Sequence, residues 1–298
     1  MDSVTVRAPA KINLFLGVGP VRDDGFHPLD TIYQAISLYD DVTVTEADAW
    51  SVHVEAIGGV DVSEVPRDEH NIVVHAGLLL TAHHGIDRCA RIEVAKAIPV
   101  AGGMAGGSAD AAATLVALDR LWDLRTTDED LLALAARLGS DVPFALVGGT
   151  ARGTGRGEIV DAVTDAGSWW WLVVPNAEGL STPAVYRAFD DLPQPDSLDP
   201  AEVLAALEHG DLITLADALR NDLEPAALAL RPDLRTTRTL LEETGVMRVL
   251  LSGSGPTLLG LSGTHELALR LRERLLDDGY QAWVAHGPVA GAHEVSYA

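Results

Sequence analysis

Ten residues, Pro99-Val100-Ala101-Gly102-Gly103-Met104-Ala105-Gly106-Gly107-Ser108, carry the strongest chemical signal in the chain. Glycine exposes backbone N–H groups and lets a ligand approach the main chain closely. A strand pattern precedes the loop and a small-residue helical pattern follows it. The loop therefore opens onto a helix N-terminus, where partial positive charge favours an anion. That arrangement suits a phosphate group cradled by the amides from Gly102 to Ser108. The Ser108 hydroxyl would cap the helix or reach a phosphate or Mg²⁺. Bulk at Gly106 would block the approach. The alternative is a loop that only packs a helix closely on a sheet. Two other phosphate motifs are excluded. There is no lysine in the Walker position, and Met104 after Gly102-Gly103 breaks the G-x-G-x-x-G spacing.

Three shorter segments add groups that could act on a phosphate. Lys11 and Asn13 lie in Pro9–Leu14, which otherwise reads as a solvated strand end. Asp141 precedes Val142-Pro143-Phe144 and is open between two roles, a helix N-cap and a carboxylate that takes a proton from a hydroxyl. Ser252-Gly253-Ser254-Gly255-Pro256 reads as a glycine turn or tight hairpin. Lys11 and Lys96 are the only lysines among 21 basic residues. A codon bias toward arginine explains most of that imbalance. The pointed reading is that a compact ammonium is wanted at those two places. The histidines, His83-His84 included, show no metal-ligand spacing, and no metal-ligating residue is assigned.

These groups need elements to position them. Strands are predicted at Val4–Arg7, Thr31–Leu38, Asp41–Thr45, Val52–Ala56 and Arg91–Val94. Further strands are predicted at Phe144–Val147, Thr150–Arg152, Trp169–Val174, Arg248–Leu251, Thr257–Leu261 and Gln281–Ala285. Helices are predicted at Asn71–His83, Ala109–Trp122, Thr127–Leu138, Ala201–Glu208, Asp211–Asn221, Pro232–Glu243 and His265–Asp278. Ala111, Leu115, Leu118 and Trp122 share one face of the helix after the loop. A boundary near 162–168 divides the 298 residues into 1–165 and 166–298.

The net charge of −23 disfavours nucleic acid and anionic membranes as partners. It equally requires a phosphate site to be locally positive. One cysteine, Cys89, permits no intrachain disulfide. There is no apolar run of membrane-spanning length and no secretory pattern at the start. A cytoplasmic enzyme acting on a small molecule is expected, as a monomer or weak dimer.

In order along the chain, Pro9–Leu14, the Pro99–Ser108 loop and the Ser252–Pro256 turn resemble the three motifs of the GHMP kinases. The resemblance narrows through Asp24-Gly25-Phe26-His27, Leu138–Phe144 and Asn221-Asp222-Leu223-Glu224-Pro225 to members whose acceptor is a methylerythritol carrying cytidine diphosphate. It implies an α+β, two-domain GHMP kinase fold. The N-terminal α/β domain would be ribosomal-protein-S5-domain-2-like with a left-handed crossover, and the C-terminal domain ferredoxin-like. ATP with Mg²⁺ and the acceptor would meet between the domains.

On that resemblance Lys11 and Asp141 are catalytic. ATP would be bound by Asn71, Lys96, Pro99, Gly102, Gly103, Met104, Ala105, Gly106, Gly107 and Ser108, with Asn71 and Lys96 near the nucleoside. The acceptor would be bound by Asn13, Phe26, His27, Asp141, Thr182 and Tyr186. Phe26 and Tyr186 would hold the cytosine ring between them and His27 would bond its edge. Two positions depart from the family. Ala101 stands where a glycine is usual and Ala109 where a second serine is usual. Homoserine, mevalonate or a sugar is the rival acceptor, and Gly25-Phe26-His27 is the segment that separates the two readings.

Overall fold

The computed structural model describes residues 3–176, 178–193 and 198–296. The first sheet starts with two long strands, β1 (Ser3–Val18) and β2 (Leu29–Ala47), paired antiparallel along nearly their whole length. Side chains alternate across a strand. Val6, Ala8, Ala10, Ile12 and Leu14 of β1 therefore enter the main core, whereas Lys11 and Asn13 turn to the opposite face. The sequence predicted a break at Tyr39-Asp40, just before Asp41, but β2 runs through it. Both carboxylates have partners: Asp40 accepts from Lys96 and Asp41 accepts from Arg7.

The chain continues through β3 (Ser51–Ala56), α1 (Ile72–His84) and β4 (Cys89–Lys96), with β3 and β4 parallel and β4 paired to β2. The glycine loop follows, then α2 (Gly106–Leu121) and α3 (Asp128–Leu138). Alanines 109, 111, 112, 113 and 117 of α2 are fully buried, and these small side chains let the helix lie close on the sheet. The predicted face of Ala111, Leu115, Leu118 and Trp122 is buried as expected.

Phe144–Val147 is not the predicted strand. It belongs to α4 (Val142–Val147), because Pro143 suits the first turn of a helix and a short apolar run has no period of its own to decide it. β5 (Thr150–Thr154) and β6 (Ile159–Ala162) then extend the sheet beside β2.

The second unit opens with β7 (Trp169–Val174), α5 (Thr182–Asp190), α6 (Ala201–His209) and α7 (Leu212–Ala218). A two-residue strand, β8 (Arg220–Asn221), crosses back to pair with β1. Then come α8 (Glu224–Leu230), α9 (Leu234–Glu243), β9 (Arg248–Leu251), β10 (Leu258–Ser262), α10 (His265–Asp277) and β11 (Trp283–Gly287). The second sheet is wholly antiparallel in the order β11-β7-β10-β9. Numbered within that sheet the order is 4-1-3-2, that of a ferredoxin-like βαββαβ unit.

Helices α5 and α8 are absent from the sequence-based expectation. Both begin with Pro at N1 or N2, and that signal was available. The last strand, β12 (His293–Val295), does not stay with residues 166–298 as expected. It pairs with Thr5–Arg7 of β1, so the chain end returns to the first sheet. We propose the division near residue 165 with that one strand given back to the first unit.

Polar contacts brace β8, which lies beside β1, within the second unit and tie the second sheet to the first. Asn221 donates to the carbonyls of Leu251 (2.8 Å) and Gly253 (2.7 Å) while its oxygen accepts from Leu223 N. Trp171 Nε1 of β7 donates to Gln34 of β2 at 3.0 Å.

Candidate active site

The loop backbone explains its composition. Ala101, Gly103 and Ala105 all have positive φ, at 53°, 75° and 57°. Ala101 thus adopts, against the preference of an L-residue, the conformation a glycine would take freely. At Gly103 there is no alternative to glycine. An added Cβ would lie 2.2 Å from Ser252 O, because the loop packs directly on the Ser252–Pro256 turn. Ser252 Oγ donates to Gly103 O at 3.0 Å, and Lys11 N donates to Met104 O at 3.1 Å. Both the first strand and the second unit therefore hold the loop in place.

Gly106 and Gly107 have different surroundings. A Cβ on Gly106 would meet Ile98 and Lys96 Nζ at 3.1 and 3.2 Å, inside the protein. A Cβ on Gly107 would meet nothing within 4 Å. Bulk at Gly106 would press on Ile98 and Lys96, and bulk at Gly107 would enter open space beside the loop. Ser108 does not cap the helix, since the N-cap position is Ala105. It is half-buried and is not part of the cleft wall.

One cleft of about 940 Å³ collects the other expected residues. Lys11, Asn13, Phe26, His27, Asn71, Lys96, Pro99, Gly102–Gly107, Asp141, Thr182 and Tyr186 all line it. At its centre Lys11 Nζ donates to Asn13 Oδ1 at 3.0 Å and lies 3.4 Å from Asp141 Oδ2. Asn13 Nδ2 donates to Thr31 Oγ1, which donates to Phe15 O. That chain of bonds fixes the amide so that its oxygen faces the ammonium. Both polar ends of Asn13 are thereby committed.

Asp141 occupies the N-cap position of α4 but makes no side-chain cap bond, and its carboxylate turns to Lys11 instead. Sequence reasoning missed Tyr33, which stands opposite Asn13 across β1 and β2. Its ring lies 5.1 Å from Lys11 Nζ. Burial, followed by the nearby Asp141 charge, pushes the Tyr33 and Tyr186 phenols well above their ordinary range, so both stay neutral.

Lys96 lines the same cleft, with its ammonium engaged by two carboxylates. Its ammonium lies 2.5 Å from Asp40 and 2.7 Å from Asp110, and all three groups are buried. Burial alone would lower the Lys96 pKa, and Asp110 and Asp40 more than reverse that, leaving it raised. Asp40 also accepts from the Ala97 and Ile98 amides. Asp110 Oδ1 has no partner among the described residues, and burial pushes this carboxyl well above the usual range. Asn71 caps α1 through Val73 N and donates to Pro66 O, so it braces the loop that forms the far wall.

At the other end His27 is 7% exposed. Its Nδ1 donates to Gly19 O at 2.8 Å, and its Nε2 lies 3.4 Å from Asp190. The ring centroid is 5.0 Å from that of Tyr186. Phe26 is 48% exposed and belongs to no core cluster, so it is not a packing residue. Arg156 lies 4.8 Å over its ring. Thr182 and Ser254 hydroxyls share a bond of 2.8 Å across the cleft mouth.

The sequence pattern of the GHMP kinases N terminal domain matches residues 71–149, and that of the GHMP kinases C terminal domain matches 203–281. The chain belongs to the GHMP kinase family. A 4-diphosphocytidyl-2-C-methyl-D-erythritol kinase of Nocardioides sp. is 59% identical over 98% of this chain and all of its own. A crystal structure of 4-(cytidine 5'-diphospho)-2C-methyl-D-erythritol kinase superposes with a TM-score of 0.76 at 32% identity, covering 95% of this chain and 98% of that one. Homoserine kinase from Cytophaga hutchinsonii gives a TM-score of 0.75 at 22% identity, covering 99% and 98%, and this likeness is one of fold.

The buried triad yields a prediction for stability. Lys96→Met leaves two buried carboxylates without their cation, and breaking a buried pair costs about 3–5 kcal/mol. Denaturant unfolding of the ligand-free protein should show that loss. A ligand-free stability equal to the parent's would mean that Lys96 acts only on bound nucleotide.

Proposed function

We propose that this kinase transfers the γ-phosphate of ATP, supplied as its Mg²⁺ complex, to the 2-hydroxyl of 4-diphosphocytidyl-2-C-methyl-D-erythritol, in the non-mevalonate route to isoprenoid precursors. A cytoplasmic location and a monomeric or weakly dimeric state belong to the same reading. The observation that carries the chemistry is Asp141, a helix-start carboxylate that leaves its cap unmade and faces Lys11.

The acceptor hydroxyl would lie between Asp141 and the γ-phosphorus. Its oxygen bonds to phosphorus as the bond to the β–γ bridging oxygen breaks, and Asp141 takes the proton. The Lys11 ammonium faces Asp141 and would offset charge on the transferring group. Asn13 positions Lys11. The amides at Gly106 and Gly107 would face the phosphates, and Mg²⁺ would supply charge neutralisation there.

At the acceptor end the cytosine would stack on Phe26 and Tyr186. His27 Nε2 would meet its edge, with Nδ1 already tied to Gly19. A carboxylate-to-amide change tests the base directly. Asp141→Asn should lower turnover by about 10²–10⁴-fold with ATP affinity intact, and turnover within a few-fold of the parent would make Asp141 merely structural. His27→Ala and Tyr186→Ala should raise the KM for the cytidyl acceptor by about 10–100-fold and leave the KM for ATP unchanged, since a base stacked on an aromatic is worth about 1–3 kcal/mol. The reverse split in steady-state kinetics would put the cytidine elsewhere.

A further inference from the structure

Every cation on the cleft wall but one has its charge already engaged. Lys11 faces Asn13 and Asp141, and Lys96 is held by Asp40 and Asp110. Arg156 lies over the Phe26 ring and 3.6 Å from Glu158. Arg187 lines the same cleft, is exposed, and among the described residues has no carboxylate or hydrogen-bond partner.

Its position is set by α5. Thr182, Pro183, Tyr186, Arg187 and Asp190 all line the cleft, and their spacing puts them on one face of that helix. Arg187 therefore follows directly on the residue whose ring is 5.0 Å from His27. Four carboxylates, Glu64, Asp110, Asp141 and Asp190, line the same wall in a chain of net charge −23. A doubly phosphorylated acceptor entering that field needs a local cation.

We propose that Arg187 binds the diphosphate of the acceptor, between the base held at His27 and Tyr186 and the hydroxyl held at Asp141. This rests on the cytidyl reading given above. A guanidinium presents a planar fork that matches phosphate oxygens in pairs, and charge-assisted bonds of this kind are about twice as strong as neutral ones. The ligand class is a cytidine 5'-diphosphate ester. The residue is a binding and specificity determinant that favours a diphosphate over the bare nucleoside.

The test is calorimetric binding of cytidine and of CDP, with the ATP site filled by a non-hydrolysable ATP analogue. The parent protein should bind CDP at least tenfold tighter than cytidine. Arg187→Gln should erase that preference by weakening CDP alone, with thermal unfolding unchanged because the side chain is exposed. Arg187→Glu should weaken CDP further and still spare cytidine. An Arg187→Gln protein that keeps the parent's preference for CDP overturns the inference and leaves the cytidyl reading standing. A parent that binds cytidine and CDP equally overturns it too. A parent that binds neither removes the cytidyl reading and the inference together.

Discussion

Lys11 is 7% exposed, and an ammonium on so buried a residue needs its donors matched. It has three N–H donors. One goes to Asn13 at 3.0 Å and a second faces Asp141 at 3.4 Å, and in the proposed reaction the third would meet the transferring phosphate. The geometry around it follows from this requirement. Thr31 and Phe15 O orient Asn13, Tyr33 closes one side with an aromatic face, and α4 begins where its N-cap residue, Asp141, can turn a carboxylate inward.

The same strand that carries Lys11 also holds the phosphate loop, through the bond from its backbone amide to Met104 O. The second unit holds the loop from the other side, where the turn at Ser252 packs so closely on Gly103 that no side chain fits. Asn221 ties that turn back to the short strand beside β1. Phosphate loop, lysine and aspartate thus share one rigid frame although they come from distant parts of the sequence. Rigid positioning of this kind is what phosphoryl transfer demands.

The local signals were legible in the sequence. The glycine loop, the Asn71 cap and the buried face of the helix after the loop follow from composition, period and capping, and the ferredoxin-like second sheet follows from the family resemblance. What escaped depends on contacts between remote segments. Tyr39 and Asp40 read as a strand break, and the Lys96 ammonium is what lets the buried Asp40 carboxylate sit within the strand. Tyr33 enters the site through a strand register that one sequence does not reveal. Lys96 looked like a ligand contact, and its two carboxylate partners lie 56 and 14 residues away. The scarcity of lysine was a truer guide. Both lysines are buried and line the same cleft.

The most direct measurement is phosphorus NMR of the product when the purified protein is given MgATP and the cytidyl-methylerythritol acceptor, beside parallel reactions with homoserine and mevalonate. The account predicts one ADP per acceptor consumed and a new phosphomonoester resonance without three-bond proton coupling, because the 2-hydroxyl sits on a carbon that bears no hydrogen. Homoserine and mevalonate should stay unphosphorylated. A proton-coupled ester from the cytidyl acceptor, or comparable transfer to homoserine or mevalonate, would contradict it.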